Sequence, residues 1–318
     1  MPPSFGVNFA ISNVVNSFRL SSAPSLILDN LSAGAAYSTR LNRTAYGISS
    51  PLVRVRRSND NALADIPSKL YAARAHPYWL DEDALLAHCG ANSGFVETWY
   101  DQSGNSRHIT QATQAAQPRI VNAGTIDTQN SVPTLVFDGI DDVLFNSSPW
   151  LYANGVMTAC FVMRAAAPSS PRRLWGEAST TTSAFYIASG GPTAGTNDDI
   201  MAAIRNDAGA EVLDVGLATR VLLADQFNNT LRALVWRDTG SSYDGFGNNT
   251  QGTTQSYTRS GVLTLDRFAI GGLQRATLSS PIAASISEAI FFPQALSTTN
   301  RVAVNTSQAG AYGITLNP

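Results

Sequence analysis

Short apolar runs separated by turn-forming residues dominate the second half of the chain. From Val156 onward the runs are MTACFVMRA, RLWGEA, AFYIAS, MAAIRN, EVLDVGL, NTLRALVWRD, LDRFAIGGL and ISEAIFFPQAL. They recur about every 10–20 residues, with Gly, Ser, Thr, Asn and Pro between them. This spacing predicts an antiparallel β-sandwich or barrel and disfavours alternating βαβ units, because no long helical segments separate the runs.

Residues 95–111, FVETWYDQSGNSRHITQ, predict a strand, an ordered loop and a second strand. The segment begins with β-branched and aromatic residues and breaks at the turn-forming run 101–105. Gly104 can adopt a positive φ, and the short polar side chains beside it can bind nearby backbone groups. Upstream, PLVRVRRS predicts another strand because apolar and arginine positions alternate.

Two segments favour short helices. Small, unbranched residues dominate 33–41, and Asp29 or Ser32 could cap a helix there. Residues 81–89, DEDALLAHC, begin with three carboxylates and continue with helix-forming residues before Gly90. Acidic side chains in a first turn interact favourably with the helix dipole, so both the charge pattern and the helix propensity of these residues predict this second helix.

Turn residues predict two further features. Asp138 and Gly139 are typical of a hairpin turn, and residues 240–256 predict a long loop rich in Gly, Asn and Thr. Near the end of the chain, Glu288 is predicted to lie on a strand. The two-residue period of a strand places Ile286 and Ile290 on the same face as Glu288, and residues 296–304 are predicted to cover one end of the domain.

The chain divides into a predicted arm, residues 1–28, and one sandwich domain, residues 29–318. The arm alternates loosely between apolar and polar residues, which favours either a strand that adds to a sheet or an unstructured leader. It lacks the positive first segment of a signal peptide. No apolar run approaches the roughly 18 residues that a transmembrane helix needs.

Composition favours a particle-borne or extracellular β-protein. Hydrophobic residues make up 44% of the chain and charged residues only 14%, so hydroxyl and amide side chains must cover the surface. The net charge of −2 provides no basic field for nucleic acid. Cys89 and Cys160 have no cysteine at metal-binding spacing and are predicted to be buried thiols, and His76 and His88 are predicted to pack rather than to bind metal.

Charged clusters have two interpretations each. Arg54, Arg56 and Arg57 could contact an anion, but pairing with nearby Asp60 or Asp65 is favoured. The aspartates at positions 138, 141 and 142 could share a calcium ion, because calcium prefers clustered oxygen ligands. Turn chemistry explains Asp138, Asp141 and Asp142 equally, and their spacing does not match a calcium loop of known type. The sequence predicts no other cofactor.

The run ETWYDQSGNSRHITQ, preceded by AYSTRLNRTAYGISSPLVRVRRSNDNALADI, resembles the catalytic domain of the fungal-type α-L-arabinofuranosidase B family. Similar segments occur in bacteriophage structural proteins. The closing segment ISEAIFFPQALSTTNRVAVNTSQAGAYGI is similar to the terminal strand and helix of laminin-G-like domains. The resemblance implies a mainly β fold: a concanavalin A-like antiparallel β-sandwich, or jelly roll, with a few short helices and an extended N-terminal arm.

The resemblance also implies where catalytic residues would lie. In that family the nucleophile is a Glu in an acidic, Asn-containing motif, and the acid is an Asp just after an Ile-Gly-Gly strand end. Here Ile270-Gly271-Gly272 is followed by Leu273, which cannot donate a proton. Glu177 and the pair Asp198-Asp199 are the nearest counterparts of the nucleophile and do not match its motif, and Glu288 is a further weak candidate. The sequence therefore predicts a sandwich without catalytic residues.

The function predicted from these observations is a structural protein of a bacteriophage virion, as a tail or head appendage or decoration. It would form a homo-oligomer, contact other virion proteins and bind cell-surface glycans. Aromatic and polar side chains can stack on sugars and bind their hydroxyls, and the candidates are Trp99, Tyr100, Asp101, Trp175 and Tyr243. Two alternatives remain open: an α-L-arabinofuranosidase-type hydrolase and a free carbohydrate-binding module.

Overall fold

The computed structural model describes residues 25–193, 196–214, 223–224 and 226–318. Residues 1–24 of the predicted arm lie outside this part of the chain. The helices are α1 (Glu82–Cys89) and α2 (Thr298–Tyr312). The strands are β1 (Ala35–Ser38), β2 (Pro51–Arg57), β3 (Leu63–Leu70), β4 (Tyr78–Leu80), β5 (Gly94–Trp99), β6 (Ile109–Thr110), β7 (Arg119–Asn122), β8 (Thr125–Ile126), β9 (Thr128–Gln129), β10 (Val132–Pro133), β11 (Leu135–Asp138), β12 (Leu144–Asn146), β13 (Met157–Ala165), β14 (Arg172–Ala178), β15 (Phe185–Thr193), β16 (Thr196–Arg205), β17 (Glu211–Asp214), β18 (Arg232–Asp238), β19 (Ser242–Gly247), β20 (Thr250–Gln251), β21 (Gln255–Ser256), β22 (Arg267–Ile270), β23 (Leu273–Gln274), β24 (Leu278–Ser279) and β25 (Ala283–Phe292).

Two antiparallel sheets form the body of the protein. In the first sheet the strands lie in the order β19–β18–β13–β25, and the other edge of β25 pairs with β1 and β11. In the second sheet the order is β3–β2–β5–β6–β12–β22–β14–β15–β16–β17. The short strand β7 pairs with both β5 and β11 and so links the two sheets. The arrangement confirms the predicted mainly β, antiparallel sandwich.

Aromatic side chains from both sheets meet in the interior. Phe291 of β25 packs against Trp175 of β14 at a ring-centroid distance of 5.5 Å and against Phe268 of β22 at 5.1 Å. Both contacts have the edge-to-face geometry that aromatic rings prefer. Because Phe291 is fully buried, truncation to alanine would cost about 3–5 kcal/mol of stability.

Helix α2 covers the outer face of the first sheet. Val304 of the helix packs in a buried cluster with Cys160 of β13, Val235 of β18 and Ile290 of β25. Both faces of β13 are therefore buried, which explains its almost continuous apolar sequence. The prediction that residues 296–304 cover one end of the domain is wrong in two respects. The helix extends to Tyr312, and it covers the outer face of a sheet.

A β-bulge in β25 changes which residues share a face. Glu288 pairs with Val162 of β13, whereas the next residue of β13 pairs with Ile286, so Ser287 has no direct partner on that strand. Ile286 lies in the interior cluster, while Ile290 lies under α2. The prediction that Ile286 and Ile290 share the face of Glu288 is wrong for Ile286, because the additional residue shifts the two-residue period.

Most strands and helix α1 lie where the sequence predicts them. Strand β13 has the sequence MTACFVMRA, and β2 and β5 confirm the predicted strands around residues 51–57 and 95–99. Asp81 caps helix α1, because its side chain accepts a hydrogen bond from the backbone N–H of Ala84 at 3.1 Å. Among the described residues, no helix combines the length and the apolar character needed to cross a bilayer.

The predicted helix at 33–41 is instead strand β1, all four residues of which are buried. It pairs with β25, so tertiary packing overrides the helical preference of its alanines. Gly34 precedes the strand, and a Cβ there would lie 2.2 Å from the ring of Trp150. Close packing at this position therefore requires glycine. At the predicted boundary between arm and sandwich, Leu26 and Leu28 are buried.

The predicted loop at 240–256 is largely paired. Strand β19 aligns with β18, and Tyr243 and Phe246 are buried on it. Asn248 and Asn249 have φ values of 45° and 78° and form a two-residue turn to β20. Adjacent residues with positive φ are typical of a tight hairpin. The prediction of a long loop is wrong, because Asn248 and Asn249 make a tight turn between two paired strands.

Asp138 and Gly139 form a turn, but not a hairpin. Gly139 has a φ of 79°, as the turn prediction requires. The strands on either side do not pair with each other: β11 pairs with β25 and β7, whereas β12 pairs with β22 and β6. The turn therefore carries the chain from the first sheet to the second.

Candidate functional site

Glu288 is buried in an ion pair beneath α2. Its carboxylate accepts hydrogen bonds from Arg40 Nε at 2.7 Å and Arg40 Nη2 at 3.0 Å. Ser38 Oγ donates to it at 2.8 Å and Asn42 Nδ2 at 3.0 Å. Burial alone would favour the neutral acid, but Arg40, together with Asn42 and Ser38, outweighs it and lowers the pKa of Glu288. The carboxylate therefore has a structural role and is not accessible to a ligand.

Glu177 is buried in a different way. Its carboxylate accepts hydrogen bonds from three successive backbone N–H groups, those of Trp150, Leu151 and Tyr152, at 2.5–2.7 Å. Burial raises the pKa of Glu177, although these three N–H groups act in the opposite direction. The side chain is 1% exposed. It fixes the segment 150–152 and is not available to a substrate at the surface.

The predicted strand end Ile270-Gly271-Gly272 is confirmed, because β22 ends at Ile270. The next residue, Leu273, is 4% exposed and packs with Ala178, Phe185 and Ile187. An apolar side chain therefore occupies the position that the resemblance assigns to the acid. The side chains of Asp198 and Asp199 lie outside the described part of the chain. Glu177 and Glu288 are each buried and hydrogen-bonded to other groups of the protein, so they do not form a catalytic pair that a substrate could reach.

Three of the five predicted sugar-binding residues lie in the interior. Trp99, Trp175 and Tyr243 are each 0% exposed and belong to the main buried cluster. Their rings cannot stack on a ligand at the surface, which corrects the prediction for all three. Large aromatic rings on strands of a sandwich are the usual filling of its core, and the sequence pattern alone does not separate core rings from surface rings.

Asp101 organises the predicted loop. It is 1% exposed and accepts hydrogen bonds from the backbone N–H groups of Ala36, Ser103 and Arg107 at 2.8–3.0 Å. The hydroxyl of Ser103 donates to it at 2.8 Å. This confirms the ordered loop and assigns Asp101 a structural role in place of direct sugar contact.

Tyr100 is the one predicted sugar-binding residue with a partly exposed ring. Its hydroxyl donates to Asp65 Oδ1 at 2.7 Å. Arg54, directly across from Asp65 on the neighbouring strand, donates to both oxygens of Asp65 at 2.8 and 3.0 Å. The side chains of Arg54 and Asp65 are about two-fifths exposed. Together with His108 these residues form the Tyr100 patch, on the outer face of the second sheet.

His108 completes the Tyr100 patch. Its ring packs edge-to-face against that of Tyr100 at a centroid distance of 5.0 Å. Nδ1 accepts the backbone N–H of Asp101 at 3.0 Å, so the proton of the neutral ring is on Nε2. Burial lowers the pKa of His108, and the neutral tautomer therefore dominates at pH 7. The Nε2–H group is a donor that a ligand hydroxyl could use.

The other arginines near this patch behave largely as the sequence predicts. Arg54 pairs with Asp65, and Arg57 pairs with Asp60 at 2.6 Å. Arg56 differs: it donates to the side chain of Gln117 at 2.7 Å, because both side chains are buried between strand and loop. These contacts favour surface pairing over anion binding at the β2 arginines.

The histidines and cysteines outside the patch have packing roles. Nε2 of His76 lies 3.0 Å from the carbonyl oxygen of Leu41, and burial lowers the pKa of His76 to about 3. Cys89 and Cys160 are free thiols and are buried, as predicted.

Asp138, Asp141 and Asp142 form an acidic turn whose carboxylate oxygens lie within 4.8 Å of one another. Asp138 Oδ1 accepts the backbone N–H of Ile140 at 2.7 Å, and Asp142 Oδ2 accepts that of Asp138 at 2.8 Å. Turn chemistry is therefore present, and the oxygens could also serve as ligands for calcium. Burial raises the pKa of Asp142 to about 7, and the charges of Asp138 and Asp141 act in the same direction.

Comparisons with known proteins identify the fold. No protein-family model matches the chain, and no curated protein matches it in sequence. A mutant of a GH54 α-L-arabinofuranosidase soaked with 4-nitrophenyl α-L-arabinofuranoside aligns at a TM-score of 0.64 and 15% identity, covering 89% of this chain and 63% of that chain. An arabinofuranosidase complexed with arabinofuranosyl-α-1,2-xylobiose aligns at 0.65 and 14%, covering 88% and 63%.

These solved structures share the sandwich architecture with this protein. At 14–15% identity the likeness defines the fold and nothing finer. The chain spans 63% of the length of the arabinofuranosidases that it matches. The sequence resemblance to an arabinofuranosidase-like sandwich is thereby supported at the level of fold.

Proposed function

We propose that this protein is a glycan-binding sandwich that has an arabinofuranosidase-like fold and does not hydrolyse glycosides. The main support for the proposal is that the carboxylates of Glu177 and Glu288 are buried and bound by internal donors. Glycoside hydrolysis normally needs two carboxyl groups that flank the sugar. Glu177 is held by three backbone N–H groups and Glu288 by Arg40. Leu273 occupies the position that the sequence resemblance assigns to the acid.

The Tyr100 patch is the surface that we assign to sugar binding. The Tyr100 ring offers an apolar face, His108 offers an N–H donor, and the Arg54–Asp65 pair offers both donors and acceptors. Sugar hydroxyls both donate and accept, so a fixed array of this kind suits a neutral saccharide. Asp101 accepts the backbone N–H groups of Ser103 and Arg107 and keeps the loop that follows Tyr100 ordered.

A hydrolysis assay and a binding assay together test this proposal. The pure protein is incubated with 4-nitrophenyl α-L-arabinofuranoside and with arabinoxylan, and is screened against a glycan array. We expect binding of a neutral glycan without turnover. Turnover that disappears in Glu177→Gln or Glu288→Gln, with unchanged melting temperatures, would support the alternative of an arabinofuranosidase and overturn the proposal.

The Tyr100 patch has a matched test. Tyr100→Ala should weaken neutral-glycan binding about tenfold, the effect expected for one aromatic contact. Tyr78→Ala, which removes a partly exposed tyrosine from β4, is the control and should leave the affinity unchanged. If both variants bind as the wild type does, the sugar surface lies elsewhere.

We further propose that the protein works on a bacteriophage particle, as a tail or head appendage, with residues 1–28 as its attachment segment. The sequence resemblance to phage structural proteins and the low charge content support this setting. Deleting residues 1–24 should abolish oligomerisation or particle incorporation without changing the melting temperature. Unchanged assembly would instead favour a free carbohydrate-binding module, the remaining alternative.

A further inference from the structure

The outer face of the second sheet carries a second cluster, far along the strand order from the Tyr100 patch. On β15, Tyr186 points into the interior, whereas Phe185 and Ile187 point outward, as the two-residue period requires. Arg205 of β16 lies directly across from Phe185. The segment that begins with Leu273 covers this face and brings Arg275 to the same ring.

Two guanidinium groups flank one aromatic ring at this place. The guanidinium carbon of Arg205 lies 4.7 Å from the centroid of the Phe185 ring, and that of Arg275 lies 5.5 Å from it. Arginine stacks well on aromatic faces, which orients both groups. Burial, and to a smaller extent the charge of Arg205, lowers the pKa of Arg275. The two positive charges are thus close enough to repel each other.

Within the described part of the chain, little balances these charges. Glu211 lies 3.5 Å from Arg205 Nη2 and is 48% exposed, so this pair is long and solvated. Arg275 Nη2 donates to the carbonyl oxygen of Ser183 at 2.7 Å, which is a neutral acceptor. The Nε atoms of both arginines are buried without a partner. Two like charges held together, with a single long and solvated carboxylate contact to one of them, form a site for an anion.

We propose that Arg205 and Arg275, flanking Phe185, bind the acidic group of an anionic saccharide, one that carries a carboxylate or a sulfate. Ile187 and Leu273 are buried against Phe185 and support its ring, so the two partly exposed guanidinium groups are the part of this cluster that a ligand can reach. This proposal deepens the proposed function, because it rests on glycan binding by the sandwich, and it assigns a second surface to acidic sugars.

The test measures binding of four probes by titration calorimetry. These are a glucuronate-containing oligosaccharide, a sulfated galactoside and the neutral counterpart of each. Arg205→Gln and Arg275→Gln should each weaken binding of the acidic probes about tenfold or more, as expected for loss of a charged hydrogen bond. Added salt should weaken the same binding. Preference for the carboxylate or the sulfate probe distinguishes the two sources of the anion.

Matched variants separate this inference from the proposed function. Arg57→Gln removes a partly exposed arginine of β2 that pairs with Asp60, and it should leave acidic-probe binding unchanged. Arg275→Lys retains the charge and should keep part of the affinity, and melting curves verify folding of each variant. Acidic and neutral probes that bind equally, or acidic binding that survives both arginine-to-glutamine changes, would overturn the inference. If Tyr100→Ala loses neutral-probe binding while neither arginine variant changes acidic-probe binding, the proposed function stands and this inference fails.

Discussion

Glu288 and Glu177 are both fully buried glutamates, and they are kept in the interior by different partners. Glu288 faces the guanidinium of Arg40 under α2, so a full positive charge balances it and its pKa is lowered. Glu177 faces only the dipoles of three backbone N–H groups, and burial raises its pKa. Dipoles satisfy hydrogen bonds without cancelling the cost of burying a charge. The two sites therefore predict different responses to mutation and to pH.

The largest expected effect is at Arg40. Arg40→Met leaves the Glu288 carboxylate buried without its cation, and we expect the free energy of unfolding to fall by about 3–5 kcal/mol in urea titrations. The double variant Arg40→Met with Glu288→Met removes both charges and should recover most of that loss. Arg57→Met is the control, since its partner Asp60 is exposed, and should cost less than about 1 kcal/mol. A double variant as unstable as the single one would contradict this account.

A smaller loss is expected at Glu177. In Glu177→Gln the side-chain amide group would face the backbone N–H of Tyr152, so one donor loses its acceptor. The cost of an unsatisfied buried donor is about 1–3 kcal/mol. Urea unfolding measures it, and chymotrypsin cleavage near residues 150–152 should become faster. Unchanged cleavage, with stability equal to wild type, would mean that Glu177 does not hold this segment.

The pH dependence should have opposite signs at the two glutamates. Because the pKa of Glu288 is lowered from 4.5, its contribution is present above that pH and is lost as the solution becomes more acidic. Because the pKa of Glu177 is raised from 4.5, its contribution is present below that pH and is lost as the pH rises through the folded value. Wild-type stability minus variant stability should therefore rise with pH for Glu288→Gln and fall for Glu177→Gln. If the stability difference changed with pH in the same way for both variants, the two glutamates would not differ in the sign of their pKa shifts.

The last expected effect concerns the acidic turn. Asp142 has a pKa of about 7 in the folded protein against 3.8 as its ordinary value, so it stabilises the fold below pH 3.8 and loses that contribution up to about pH 7. Asp142→Asn should flatten the stability profile between these values, whereas Asp141→Asn should change it little. If calcium binds here, its effect on the melting temperature should grow with pH, because the ion needs the ionised carboxylate.

The sequence predicts the strands better than it predicts the site. Runs such as MTACFVMRA define strands because their apolar residues reflect burial that any sandwich would impose. Strand β1 was missed because its alanines favour a helix locally and only pairing with β25 makes them a strand. Tyr100 is partly exposed because it follows a strand at a turn, whereas Trp99 and Tyr243 lie in the core, since the direction of a ring depends on strand register. Sugar binding by Tyr100 stays a prediction.

Arg205 and Arg275 could not have been brought together from the sequence. They lie on different elements, and only the fold places them on Phe185. The structural roles of Glu177 and Glu288 could not be predicted either, because the local sequence around a glutamate does not show whether its carboxylate is buried or exposed. Arg40, the partner of Glu288, precedes it by 248 positions.

The additional residue at Ser287 has a consequence for comparing this chain with its structural neighbours. Counted from the start of β25, side chains before and after that position follow opposite parity, so an ungapped alignment of the strand would match inward-facing residues of one protein to outward-facing residues of the other. Relatives that lack the bulge need a one-residue gap there. Without that gap, the acidic residue next to it would be equated with an apolar core position.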